Sequence, residues 1–263
     1  MMKRVTMLIL AAFGLLAFSS LAYAQVTGIA ATKHNLSSLG GQAITGQYAE
    51  ICVYCHTPHG GQLATGVDAS GPLWNRNYTP AGFQVYASST LDTAPSNPPT
   101  GVSKACLSCH DGTLGLNQLI NHPGPGSGTS PGNGGDTKIT GTVPPGTNNM
   151  ALIGTDLRDD HPVSMIYADA KSYGTGAAIG TDTHAAGFRP AQLSGTRPVI
   201  VNGGITLPLY GSSALATAKV ECASCHDPHE ERSKTGAATP AQSVFFLRLA
   251  NDNSQLCLTC HLK

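Results

Sequence analysis

Eight cysteines and four of the ten histidines fall into one repeated pentapeptide. It reads Cys52-Val53-Tyr54-Cys55-His56, Cys106-Leu107-Ser108-Cys109-His110, Cys222-Ala223-Ser224-Cys225-His226 and Cys257-Leu258-Thr259-Cys260-His261, and no cysteine lies outside it. On a helical turn, positions i, i+3 and i+4 share one face. Two thiols so spaced form thioethers with the two vinyl groups of one porphyrin, and the imidazole at i+4 points at its iron. That is the attachment signature of haem c, with His as the proximal ligand. Paired Cys-x-x-Cys sequences also build zinc sites, and a single pair serves as a redox dithiol. Neither needs His directly after the second Cys, and four such histidines in four copies arise by chance about once in a few hundred thousand cases. The expected cofactor is therefore four covalently attached haem c groups. Cys52, Cys55, Cys106, Cys109, Cys222, Cys225, Cys257 and Cys260 would carry the thioethers, and His56, His110, His226 and His261 would be the proximal ligands.

The second axial ligands decide the chemistry. An iron with an open position binds and transforms a small molecule, whereas one held by two protein ligands passes electrons. Six histidines remain: His34, His59, His122, His161, His184 and His229. His59 and His229 occupy matching places in Cys-x-x-Cys-His-x-Pro-His, residues 52–59 and 222–229. A His three positions past the proximal ligand lies on the proximal side of its own porphyrin, so its reach is toward a neighbouring haem. His161 sits in Asp159-Asp160-His161-Pro162, where a carboxylate would accept the ring N–H and set the tautomer. His34 sits in Thr32-Lys33-His34-Asn35-Leu36-Ser37. These four form the favoured distal set. His122, beside a Gly/Pro-rich stretch, and His184, in a small-residue loop, are the spares. Bis-His ligation of every iron predicts low potentials and electron transfer rather than catalysis, with no catalytic residue.

The elements that must hold these groups are sparse. Gly 31 and Pro 17 are abundant and one Trp is present. The expected fold class is mostly irregular coil, with short helices at the haem motifs, a small β-hairpin and the haems themselves as the core. The hairpin is read at Pro198 to Leu207, where β-branched runs flank an Asn202-Gly203 turn, and it is expected to brace the third haem site. The apo chain is expected to be largely unfolded. Lys33, Lys104 and Lys219 are scattered and read as solvating side chains. Lys+Arg and Asp+Glu are 15 each, which argues against nucleic acid as a partner.

Residues 1–24 read as a signal peptide: Lys3 and Arg4, an apolar run from Met7 to Phe18, then Ala22-Tyr23-Ala24. Residues 25–263 form the tetrahaem domain. The order of motifs suggests two dihaem modules, 25–112 and 198–263, joined by a Gly/Pro-rich excursion over 113–197. No membrane span is expected beyond the leader, and export places the protein outside the cytoplasm.

Several islands occur together in a fixed order: Thr32 to Ser37, Cys52 to His59, Pro72-Leu73-Trp74-Asn75, Cys106 to Gly112, Asp159-Asp160-His161-Pro162, Cys222 to His229 and Cys257 to His261. In this the chain resembles the tetrahaem c-type cytochromes that polymerise into extracellular filaments, the OmcE-like nanowires. The resemblance implies bis-His haems in a continuous row, a head-to-tail homopolymer, and one haem ligated by a His from the neighbouring subunit, for which His34 is the candidate. It also implies electron export to other multihaem cytochromes and to acceptors such as metal oxides. Two alternatives stand beside it: a monomeric periplasmic tetrahaem shuttle, and a haem enzyme of the nitrite or hydroxylamine reductase type with one open iron.

Overall fold

The computed structural model describes residues 28–41, 44–61, 73–78, 82–89, 91, 93–124, 137–140, 151–167, 188–230, 246–249 and 251–262. The signal peptide and His184 lie outside these residues. Most of the described chain is coil, turn or bend, punctuated by ten short elements and several isolated turns of 3-10 helix.

The longest helix, α1 (Gly101–His110), ends in the second Cys-x-x-Cys-His motif. Its first turn has no side-chain cap; instead the Thr100 N–H just before it donates to Ser164 Oγ at 2.9 Å. Ser103, Leu107 and Ser108 form its buried face. The chain leaves α1 through Gly112, whose φ is +73°. A Cβ there would lie 2.8 Å from the Ile139 carbonyl oxygen, so glycine is required twice over.

Strands β1 (Gln84–Val85) and β2 (Asp156–Leu157) pair in parallel. Together with Leu107 of α1, Phe83 and Leu157 make one small apolar cluster. Strand β3 (Met165–Ile166) pairs antiparallel with β7 (Lys219–Val220). The chain then runs from β7 through Glu221 directly into α2 (Cys222–Cys225), the third motif.

The expected hairpin is present, with two differences. Strands β5 (Arg197–Asn202) and β6 (Ile205–Pro208) pair with Asn202 opposite Ile205. The turn residues are therefore Gly203 and Gly204, both at positive φ, as a two-residue hairpin loop demands; Asn202 is the last strand residue. A third strand, β4 (Ala191–Ser194), adds to the other edge of β5. This meander packs Ala191 and Ile200 with Leu209 and Ala218 into a second cluster that also touches Cys260. Asn202 Nδ2 donates to the Leu258 carbonyl at 3.0 Å, so the sheet braces the fourth motif, carried on α3 (Gln255–Cys260).

The described residues just after the second motif are packed, while the Gly/Pro-rich stretch 125–136 lies outside the described residues. Leu116 and Leu119 are buried, as is Asn117, and the carbonyls of 115 and 116 receive a buried arginine. Apolar residues spaced by turns, not at helical or strand period, hide this packing from a periodicity reading. Lys219 likewise is not a solvating side chain: its Nζ donates to Ser96 Oγ and Thr100 Oγ1 at 3.2 and 3.0 Å. Among the described residues no helix is long and apolar enough to cross a membrane.

Candidate haem sites

All four pentapeptides fold into the same helical turn. The motif His N–H donates to the carbonyl of the first Cys at 2.8 Å for His56, 3.0 Å for His226 and 2.8 Å for His261, while His110 completes a true α-helix. The two thiols and the imidazole of each motif therefore share one face.

A turn this short has no stability of its own, and three of the four are held by one repeated device. His56 forms a β-bridge with Trp74, His226 with Leu247 and His261 with Phe188. The residue after each bridging partner then closes the motif. Asn75, Arg248 and Arg189 donate their backbone N–H to the carbonyls of Cys55, Cys225 and Cys260 at 2.9, 2.8 and 2.7 Å. Their side chains donate to the carbonyl three residues before each motif His: Asn75 Nδ2 to Val53 at 2.7 Å, Arg248 Nε to Ala223 at 2.8 Å, Arg189 Nε to Leu258 at 2.9 Å. These carbonyls have no helical partner because the turn stops. The three clamp residues were not found from sequence, since their types differ and their distance from the motif varies.

The imidazoles come together in pairs. His56 faces His229 with ring centroids 6.1 Å apart and planes 17° from parallel. His110 faces His34 at 6.1 Å and 65°, and His261 faces His161 at 6.5 Å and 71°. Each pair joins a motif His to one of the remaining six. Two imidazoles bound through ring nitrogens to one metal, with bonds of about 2.0 Å and each nitrogen about 1.1 Å from its centroid, would stand about 6.2 Å apart, centroid to centroid. Each pair would thus supply two nitrogen donors to one iron.

Ring protonation agrees with that fit. Nδ1 lies 2.6 Å from the Ala151 carbonyl in His110, 3.0 Å from Pro228 in His34 and 2.9 Å from Pro162 in His161. A carbonyl only accepts, so Nδ1 carries the proton and Nε2 keeps its lone pair for a metal. For His161 the orienting group is thus its neighbour's carbonyl rather than Asp159 or Asp160. His229 Nδ1 is 3.6 Å from Asp227 Oδ1. Burial, then the nearby His229, holds the His56 ring below the usual imidazole range; burial does the same for His110. Neutral rings are the ligating form.

The thiols differ among themselves. Burial pushes Cys55 up to about 12, Cys225 up to about 11 and Cys260 up to about 12, whereas a hydrogen bond with Cys106 holds Cys222 below the usual thiol range. All eight thiols are unpaired, and among the described residues no three His, Cys, Asp or Glu side chains converge as a zinc site requires.

The motifs follow one another in space as in sequence. Cys55 lies near Cys109, Cys106 meets Cys222, and Cys225 lies near Cys257 and Cys260. Between α1 and α2 sits Glu221, buried, accepting from Ser103 Oγ and, at 2.8 Å, from Ser164 Oγ. Ser103 Oγ in turn accepts the Cys222 N–H at 2.9 Å. His229 of the third motif meets His56 of the first, across the two suggested modules, while His34 and His110 meet within the first.

Three sequence-derived residues remain. His59 is exposed, with its carbonyl bound by Thr57 Oγ1 and Asn121 Nδ2. His122 stacks on Tyr48 at 5.9 Å. His34, the residue suggested for a neighbouring subunit, has Phe246 stacked on it at 4.2 Å and the Pro228 carbonyl 3.0 Å from its Nδ1 within its own chain. Set against known protein families and against curated proteins, the chain matches none.

Proposed function

We propose that the protein is a tetrahaem c-type cytochrome that conducts electrons along a row of bis-His haems. The observation that carries this reading is the pairing of three motif histidines with three others at 6.1, 6.1 and 6.5 Å. When bound, each haem would supply a one-electron Fe(III)/Fe(II) couple. The chain's own residues do the rest: the Cys pairs fix each group to its turn, the carbonyls of Ala151, Pro228 and Pro162 aim the ring nitrogens, and the clamp residues keep the turns from fraying. Two rings on one iron would leave no position for substrate at the three paired motifs, which favours conduction over reductase chemistry there.

The adjacency of motifs one to four gives a row with two ends. We propose that copies join end to end outside the cell. His59, exposed and outside the three pairs, is the imidazole offered to a neighbouring copy, in place of His34. The test is purification from the native host. A mass increased by four haem groups, purely low-spin EPR and fibres under the electron microscope are expected. A chain without covalent tetrapyrrole overturns the reading; a high-spin component would favour a reductase, and a persistent monomer would favour a shuttle.

A further inference from the structure

The geometry points to Arg76 as a fixed, buried positive charge that raises the reduction potentials of the haems on the first and second motifs. The inference rests on the haem reading above. Arg76 is 0% exposed. Its Nη1 donates to the Leu116 carbonyl at 2.9 Å, and its Nη2 to Gly115 at 2.6 Å and Ser108 at 3.5 Å. Its Nε is buried without a partner. Every acceptor is a neutral carbonyl, and a guanidinium stays charged at any pH the fold survives. A buried cation without a counter-charge costs several kcal/mol in folding, so this one weakens the fold where it stands.

Its position is at the junction of two haem turns. Ser108 lies inside the second motif, and Asn75, the preceding residue, clamps the first through Cys55 and Val53. The guanidinium lies near the second cysteine of both motifs, Cys55 and Cys109. Asp111 is also buried, and its Oδ1 accepts from the Thr113 N–H and Oγ at 2.8 Å each. The arginines at the other motifs differ. Arg248 is neutralised by Asp227 at 2.9 Å, and Arg189 is half-buried, where solvent screens it. Gaining one electron lowers a haem's charge by one, so a fixed cation in a poorly screened interior favours the reduced state.

The experiment is a potentiometric titration of holoprotein, followed in the visible bands, for wild type, Arg76→Lys, Arg76→Gln and Arg76→Met. Haem content and spin state are read first, and a chain lacking four low-spin haems defeats the haem reading itself. With four haems in place, Gln and Met should move two of the four one-electron steps downward. The expected size is about a tenfold fall in the reduced-to-oxidised ratio at fixed applied potential, or 59 mV. Lys, which keeps the charge and loses the fork of hydrogen bonds, should stay near wild type. Four unmoved steps in the Gln variant, or a Lys shift equal to that of Gln, overturn the inference. If neither neutral variant yields holoprotein, Ser108→Asp brings a carboxylate to the same junction. It should lower the same two steps, and its failure to do so is equally decisive.

Discussion

Removing the imidazole of His229 tests the pairing geometry at one site while leaving the fold intact. His229 is the ring 6.1 Å from His56. The other aromatic neighbour of His56 is Trp74, edge-on at 5.9 Å, and an indole N–H donates but cannot ligate. His229→Ala therefore leaves His56 with no substitute, and one iron in four should change from low to high spin. The structural cost is small. The His229 side chain is 60% exposed and its link to Asp227 spans 3.6 Å, a surface contact of at most about 1 kcal/mol. Asp227 keeps its better partner, Arg248. The variant should thus retain four covalent haems, melt close to wild type and lose about a quarter of its low-spin EPR intensity, with added imidazole restoring it. An unchanged spectrum would refute the trans-ring reasoning at this site. Loss of low-spin signal from two irons would show that His229 holds a pair of sites together rather than capping one.

Other consequences are as direct. His59→Ala should leave the spectrum of the isolated subunit unchanged and prevent assembly, seen by sizing and electron microscopy; intact polymers would remove His59 from the interface. Asn75→Ala strips hydrogen bonds from the half-buried Val53 and Asn121 carbonyls and the Asn121 N–H. At about 1–3 kcal/mol for each orphaned group, denaturant titration should show a loss of several kcal/mol. Glu221 has its carboxyl raised above the usual glutamate range, first by desolvation. A raised carboxyl binds protons more tightly in the native state, so its contribution is present below about pH 4.5 and is lost as pH rises through the folded value. Glu221→Gln should flatten that decline and raise the melting temperature at pH 7; an unchanged pH profile would show that the carboxyl does not titrate in the fold. Gly112→Ala, forced into positive φ against the Ile139 carbonyl, should destabilise by at least about 1–2 kcal/mol in the same assay.

What was legible in the sequence was local and covalent. The pentapeptide specifies its own turn, because i, i+3 and i+4 need no distant partner to share a face. The i+3 argument pointed His229 away from its own porphyrin, but not toward His56, since that choice is made by the packing of α1 on α2 through Ser103 and Glu221. The hairpin was readable from its glycines and β-branched run. Its third strand, Ala191–Ser194, has no apolar alternation to announce it: only Ala191 is buried while the next three residues are exposed. The neighbours of His34 were hidden from the sequence for a related reason. Nearness to a chain end says nothing of the Phe246 ring, which lies over two hundred positions downstream and fixes where His34 can sit.

The clamps explain how so irregular a chain keeps its Cys-x-x-Cys-His turns in place. Its two apolar clusters are small, with three or four buried residues at the centre of each, and cannot by themselves hold four separated turns. Motifs one, three and four each end after a single turn, leaving carbonyls that a longer helix would have satisfied. Each recruits a segment from 18 to 73 residues away in the sequence, led by Trp74, Leu247 or Phe188, to bond them. The second motif needs no such strand because five residues of α1 precede it and supply the missing helix. Its free end is closed instead by the Ile153 and Gly154 N–H groups, which both reach the His110 carbonyl. Every haem turn is thus tied to a remote segment by backbone hydrogen bonds, and every tie depends on the turn being formed. Such mutual dependence makes covalent attachment at one motif favour order at the segment that clamps it, so haem loading and folding should advance together rather than in sequence.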